Sequence, residues 1–250
     1  EEGSNPLMLS AHLDTVDPGR GIKPQVVGDI IQSDGTTILG GDCKAGIAAV
    51  LEALQAIKED GASRIPIQLI FTRGEEIGLV GARNLDFSMI QATQAVVFDG
   101  NGPVSMVTTA SPTYVSFDVR ITGRSAHAGV EPEKGLSAIK IAADIIGQLP
   151  QGRLDDETTI NIGSIGGGSV RNTVPEEAFF SGEFRSRSTE TLDLLRLQIT
   201  NALDAARKEY TDAKIVEDLD INFHTYTLPN DHEMVQRASD VLGNIDLKPN

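Results

Sequence analysis

The sequence has no tryptophan, a single cysteine and an aromatic content of 4%. With so few rings it offers no stacking platform for the bases of single-stranded nucleic acid. One cysteine, Cys43, excludes an internal disulfide framework and suits a reducing compartment, so a cytoplasmic location is expected. Positive charge is also scarce. The 21 Lys and Arg stand against 36 Asp and Glu, a net charge of −15. Phosphate backbones demand a basic surface, which excludes nucleic acid as a partner. The acidity itself is read as solubility, with room for carboxylates gathered around cations. No run of about 18 apolar residues occurs, so no membrane span and no membrane partner are expected. The start, EEGSNPLMLSAHLD, lacks a basic region followed by an apolar run, so nothing reads as a signal peptide. It also lacks an initiator Met, and the amino terminus is expected to be incomplete.

What is present is a chain of 250 residues with a 40% hydrophobic fraction, enough for one large domain or two modest ones. PLMLSAHLD (6–14), IPIQLIFTRGEE (65–76) and AVVFDGNG (95–102) read as apolar strands running into polar residues. Between the first two, KAGIAAVLEALQAIKED (44–60) carries Ile47, Val50, Leu51, Leu54 and Ile57 at helical spacing, and Gly61 follows as a stop. QVVGDIIQSDGTTILGG reads as short strands, with Asp34-Gly35 as a hairpin-type turn. GLVGARNL is expected to be a short helix. Strands alternating with helices imply an α/β domain with a mostly parallel sheet.

Near residue 110 the pattern changes. TYVSFDVRITG (113–123) alternates like a half-exposed strand. An amphipathic helix (135–149), two strands, a helix (189–210) and a last strand (213–226) follow. This β-α-β-β-α-β order is that of a ferredoxin-like α+β module. HEMVQRASDVLGNI (232–245) then reads as a helix, with the chain rejoining the first domain. The expected organisation is therefore 1–109, an inserted module over 110–227, and a return over 228–250.

GGDCKAG (40–46) poses a chemical choice between phosphate cradle, cysteine nucleophile and metal ligand. The Gly-x4-Gly-Lys-Ser/Thr spacing of a phosphate loop is absent. No His lies near Cys43 in sequence, and the adjacent acid disfavours a thiolate. Four polar clusters, HLD, GGDCKAG, GEE and FDG, sit at strand ends or a helix start, where open α/β sheets bind ligands. Together they supply His12, Asp14, Asp42, Glu75, Glu76 and Asp99. So many carboxylates on one rim repel unless cations lie among them. His with Asp and Glu suits zinc or a similar divalent ion. His12 and Asp14 are two apart on a strand and point the same way, which favours Asp14 as the partner that orients a ligating His12. Glu75 and Glu76 are expected to diverge, one toward metal and one free to take a proton. Taken singly, each cluster has an ordinary explanation as a cap, a turn or a solvated edge. Only their joint occurrence favours metal.

SAHLDTV, GGDCKAG, TRGEEIGLVGA, FDG and GRSAHAG occur in this order. On these motifs the sequence resembles the two-zinc exopeptidases and amidohydrolases that include peptidase T, carboxypeptidase G and aminoacylase. HLDTVDPGRGIKP, SDGTTILGGD and HAGVEPEKGLSAI extend the resemblance toward peptidase T-like proteins, over nearly the whole chain. The resemblance implies a zinc-exopeptidase-like domain carrying two divalent metal ions, Zn2+ in the first instance. His12 and Asp99 would hold one ion, Asp42 would bridge, Glu76 would hold the other, Glu75 would be the general base and Asp14 would orient His12. It implies that the inserted module is a lid and homodimer surface, with His127 on the scissile carbonyl, in its own or the partner subunit's site, and Asn172 and Arg185 on polar or carboxylate groups of the substrate. Arg187 lies close to Arg185, and its side chain is expected on the same side of the strand. The implied activity is hydrolysis of amino-terminal peptide bonds in short peptides. The alternatives are an N-acyl amino acid amidohydrolase or carboxypeptidase of the same family, and a non-catalytic binding module that keeps the fold. Cys43 stands where a second acid is commoner, and is expected to be packed rather than ligating. The family's last zinc-ligating His has no counterpart here. His224 falls in the last strand of the module and His232 at a helix start, so a further carboxyl-terminal segment is expected.

Overall fold

A computed structural model describes residues 5–249. They divide into two compact units. One runs to Val107 and takes in His232–Asp246; the other is Thr108–Asp231 with the chain from Leu247.

The first unit is built on three parallel strands in the order β4-β1-β5: β1 (Leu7–His12), β4 (Ile67–Thr72) and β5 (Gln94–Val97). Register pairs Leu7 with Ile67 and with Gln94, so all three strands reach their carboxyl ends along the same edge. Between β1 and β4 the chain forms a hairpin, β2 (Pro24–Val27) and β3 (Ile30–Ser33), and then α1 (Gly41–Asp60). The hairpin turn is Gly28-Asp29, since Val27 pairs with Ile30. The expected turn at Asp34-Gly35 instead ends β3. Gly28 takes φ 62, which suits the tight two-residue connection, whereas Asp34 uses its side chain to accept the Thr36 N–H.

Helix α1 does not run regularly from its first residue. Asp42 and Cys43 have non-helical backbone angles and a cis peptide joins them. The regular helix follows, with its apolar spacing intact, and Gly61 closes it in the left-handed conformation at φ 63. A short α2 (Val80–Arg83) lies beyond β4, and α5 (Glu233–Leu242) returns to this unit.

The second unit contains most of β6 (Met106–Ser111), then β7 (Thr113–Thr122), β8 (Ala126–His127), α3 (Ala138–Ile146), β9 (Gly152–Asp155), β10 (Thr158–Gly167), β11 (Thr173–Val174), β12 (Glu177–Ser186), α4 (Thr189–Glu209), β13 (Lys214–Phe223) and β14 (Tyr226–Thr227). The last strand, β15, is Asp246–Pro249. The main sheet of the second unit is antiparallel, in the order β13-β7-β12-β10-β9. Numbering the four long strands by sequence gives 4-1-3-2, the ferredoxin-like arrangement, with β9 added at an edge.

Alternation along β7 decides which face is covered. Val115, Phe117, Val119 and Ile121 are buried with Ile141, Ala142 and Ile145 of α3 and Leu195, Ile199 and Leu203 of α4. Burying each of the larger of these side chains contributes roughly 1.5–3 kcal/mol. Gly182 on β12 is required by this packing, because a Cβ there would lie 2.5 Å from the Phe117 ring. Both helices begin on serine caps. Ser137 accepts the Lys140 N–H and Ser188 accepts the Thr191 N–H, each at 3.2 Å. The Ser137 cap starts α3 later than the apolar pattern alone predicts.

Candidate metal centre and associated polar residues

The ends of β1, β4 and β5 and the start of α1 bring the four polar clusters of the first unit together. The Leu13 N–H donates to the Thr72 carbonyl and the Phe98 N–H to the Ser10 carbonyl, extending the strand pairing to the loops that carry the chemistry. His12, Asp42, Cys43 and Asp99 each place a ligand atom within 4.8 Å of the others, and His12, Glu75 and Glu76 do the same. All six of the carboxylates and imidazole singled out in this unit are thus accounted for, Asp14 through the contacts below.

His12 is buried, with 3% exposure. Its Nδ1 lies 3.0 Å from the Asp14 carbonyl oxygen, toward which it can act only as donor, leaving Nε2 to face the carboxylates. Nε2 lies 2.9 Å from Asp42 Oδ1 and 3.5 Å from Asp99 Oδ1. Burial lowers the His12 pKa, but the Asp42 hydrogen bond and the charges of Asp99, Glu75 and Asp42 outweigh it and raise the value above the ordinary one. Asp99 is raised by burial and by its hydrogen bond with Asp42. Glu75 is raised by burial first and by the Asp99 charge second.

The Asp14 carboxylate faces both the imidazole and the Glu75–Glu76 turn. Its Oδ1 accepts the Glu75 N–H at 3.1 Å and its Oδ2 accepts the Glu76 N–H at 3.2 Å, while Oδ1 is 3.5 Å from His12 Nδ1. Burial pushes the Asp14 carboxyl up, but these amide bonds prevail and hold it below its ordinary value. Sequence reasoning missed this contact, which joins main-chain groups 61 and 62 positions away and has no side-chain signature. Nor do Glu75 and Glu76 diverge as a strand would make them. Gly74 has φ 67 and starts a turn, so both carboxylates approach His12.

Cys43 is buried, its thiol donates to the Phe98 carbonyl, and burial raises its pKa. The thiol is packed, as expected. The remaining donors are one imidazole nitrogen and four carboxylates, which fit a divalent ion of the zinc type.

The other three polar residues lie in the second unit. His127 is exposed on β8, and its Nδ1 accepts the Gly129 N–H at 3.2 Å, so a neutral ring carries its proton on Nε2. Asn172 is its neighbour, since the Asn172 carbonyl accepts the Ala128 N–H at 3.0 Å. Arg185 lies on β12. Its guanidinium makes two 3.1 Å bonds to the Glu183 carboxylate and stacks 4.4 Å from the centre of the Tyr114 ring. Arg187 lies past the end of β12 and bonds Glu157 at 2.6 Å. His232 caps α5 by accepting the Met234 N–H at 3.2 Å, and His224 lies just after β13 rather than in it.

Residues 109–211 match the peptidase dimerisation domain of the M20 peptidases, and residues 1–118 match peptidase family M28. The chain is 39% identical over 96% of its length to the uncharacterized protein YqjE of Bacillus subtilis. Over all of its length it is 37% identical to aminopeptidase PepT of Bacillus cereus, with a TM-score of 0.85 and 68% of that chain covered. It is 35% identical to a tripeptidase of Staphylococcus aureus, with a TM-score of 0.88, 98% of this chain and 67% of that chain covered. The chain spans 64% of the YqjE sequence and about half, 54%, of the peptidase T sequences it matches. The inserted antiparallel module, the parallel-sheet unit and these likenesses agree: the chain belongs to the M20 family of peptidases, with the peptidase T-like proteins.

Proposed function

We propose that the protein is a metal-dependent peptidase that removes amino-terminal residues from short peptides, with the first unit as catalytic domain and the second as lid and homodimer surface. The observation that carries this reading is the convergence of His12, Asp42, Asp99, Glu75 and Glu76 at the carboxyl edge of one parallel sheet. PepT is an aminopeptidase and the Staphylococcus aureus relative a tripeptidase, which supports the substrate class.

In this reading His12, Asp99 and Asp42 would hold one zinc ion, and Glu76 and Asp42 a second. Bound there, such ions acidify water and polarise a carbonyl. Glu75 accepts the proton of the attacking water and passes it to the leaving amine. Its raised pKa moves it toward the range in which a carboxylate serves as a base and then as an acid. His127 offers its Nε2–H to the developing oxyanion. Asn172 and Arg185 hold polar or carboxylate groups of the substrate, with Glu183 and Tyr114 fixing the plane of the guanidinium.

The test is a Glu75→Gln substitution assayed on di- and tripeptides with zinc, beside N-acyl amino acids. A loss of about 10²–10⁴-fold in kcat with zinc still bound is expected. An unchanged rate in the variant, or a parent protein that releases nothing from short peptides, defeats the proposal. Turnover of N-acyl amino acids alone moves the assignment to an amidohydrolase.

A further inference from the structure

Arg185 commits one edge of its guanidinium to its own strand. Nε donates to one Glu183 carboxylate oxygen and Nη2 to the other, each at 3.1 Å. The guanidinium carbon lies 4.4 Å over the centre of the Tyr114 ring. Tyr114 is held in turn. Register places it between Arg185 on β12 and Phe223 on β13, and its ring centre is 5.5 Å from that of Phe223. Phe223 reaches that place through a bulge. Ile221 pairs with Val115 and Phe223 with Tyr114, so β13 has one residue more than β7 across this step. Burial first, and then a hydrogen bond with Glu183, raise the Tyr114 hydroxyl above its ordinary pKa, so the phenol also touches the carboxylate that holds Arg185. We propose that Glu183 and Tyr114 occupy the side edge and one face of the Arg185 guanidinium, so that a substrate carboxylate is met by the Nη1–Nη2 end alone. Glu183 is then a positioning residue that acts only through Arg185. The inference deepens the peptidase reading and rests on it only for the substrate that Arg185 meets.

The physical case is one of geometry and entropy. A guanidinium is a rigid fork with donors on fixed edges. With Nε and one hydrogen of Nη2 taken, the donors left are those of Nη1 and the second hydrogen of Nη2. A free arginine side chain moves among many rotamers, and ordering it on binding weakens the contact it makes. In Arg185 the two-pronged charge-assisted contact and the stacked ring supply that order before any substrate arrives. The end of the fork matches the two oxygens of a carboxylate. A terminal amide puts a donor where one of those oxygens would lie, so the held fork selects the free carboxylate over its amide.

Two measurements on the whole protein test this. The Arg185 Nε–H, followed by 15N NMR, is expected to exchange about tenfold faster in Glu183→Ala, as loss of a charge-assisted bond implies. Tripeptides and their carboxyl-terminal amides then serve as probes. The parent is expected to show a KM about tenfold lower for the free acids, and Glu183→Ala to lose most of that preference through KM, with kcat nearly kept. Tyr114→Phe keeps the ring and is expected to keep most of the preference, whereas Tyr114→Leu is expected to lose part of it. In an Arg185→Ala background, Glu183→Ala is expected to add nothing. Unchanged exchange at Nε, a preference for free acids that grows when Glu183 is removed, or a full effect of Glu183→Ala without Arg185 overturns the proposal. If Glu183→Ala does not fold, Glu183→Gln, which removes the charge at nearly the same volume, is read in the same way. A parent protein that hydrolyses no short peptide refutes the peptidase reading, and Nε exchange alone then decides whether Glu183 holds Arg185.

Discussion

The Nε2 atom of His12 lies 2.9 Å from Oδ1 of Asp42, although the two residues are 30 positions apart. A divalent ion held by both would take the place of this hydrogen bond. Ligand that binds only the folded protein stabilises it, by about 2.7 kcal/mol at a hundredfold excess over Kd. Zinc is therefore expected to raise Tm and EDTA to reverse the rise. His12→Ala and Asp42→Asn are each expected to abolish most of the zinc-dependent increment. A parent Tm indifferent to zinc, measured by calorimetry, would sink the metal assignment.

Gly46 sits one turn into α1, where an added Cβ would lie 2.5 Å from Phe98 Cβ and 2.6 Å from the Phe98 carbonyl oxygen. Phe98 precedes Asp99, so a shift there moves a proposed ligand. Gly46→Ala is expected to cost about 1–3 kcal/mol from overpacking and to shrink the zinc increment as well. Gly100→Ala, on the other side of Asp99, meets nothing within 4 Å and is expected to be silent. Equal urea midpoints for the two variants would contradict this.

These two sites show where the sequence was readable. The helix after Cys43 follows from apolar residues at helical spacing and from Gly61, both local signals. The ferredoxin-like strand order follows from β-α-β-β-α-β, because short connections leave few topologies. By contrast, the non-helical step at Asp42 and Cys43 is accompanied by a thiol contact with a carbonyl 55 positions away, which no local pattern encodes. The edge strand β9 is exposed along its whole length and carries no alternation, so nothing in its residues announces it. The donors at the strand ends were visible as residue types. Which atom of Asp14 faces which neighbour was not, since that depends on a turn set by Gly74.

Asp144 links the two helices of the second unit. It accepts from Lys140 within α3 at 2.6 Å and from the Tyr210 hydroxyl at the end of α4. The Lys140 and then the Tyr210 hydrogen bond hold its carboxyl below the ordinary value. A depressed carboxylate stabilises the fold above its unfolded pKa, and that contribution is lost as pH falls through the folded value. Relative to Asp144→Asn, the parent is thus expected to be more stable near neutral pH, with the difference shrinking below about pH 4. Urea midpoints followed from pH 7 to pH 3 test this, and a difference that grows on acidification would reverse the sign.

His127 is exposed in the second unit, with Nδ1 committed to the Gly129 N–H and Nε2–H free to donate. If that proton meets the developing oxyanion, its loss should be felt in the transition state more than in the bound substrate. His127→Ala is expected to lower kcat by about 10²–10³-fold with KM little changed, the magnitude found for loss of one such donor. The zinc-dependent rise in Tm is expected to survive, since the proposed ligands belong to the other unit. This combination separates an oxyanion donor from a metal ligand and from a structural residue. A variant that loses the zinc increment, or one whose KM rises while kcat holds, would remove His127 from the proposed role.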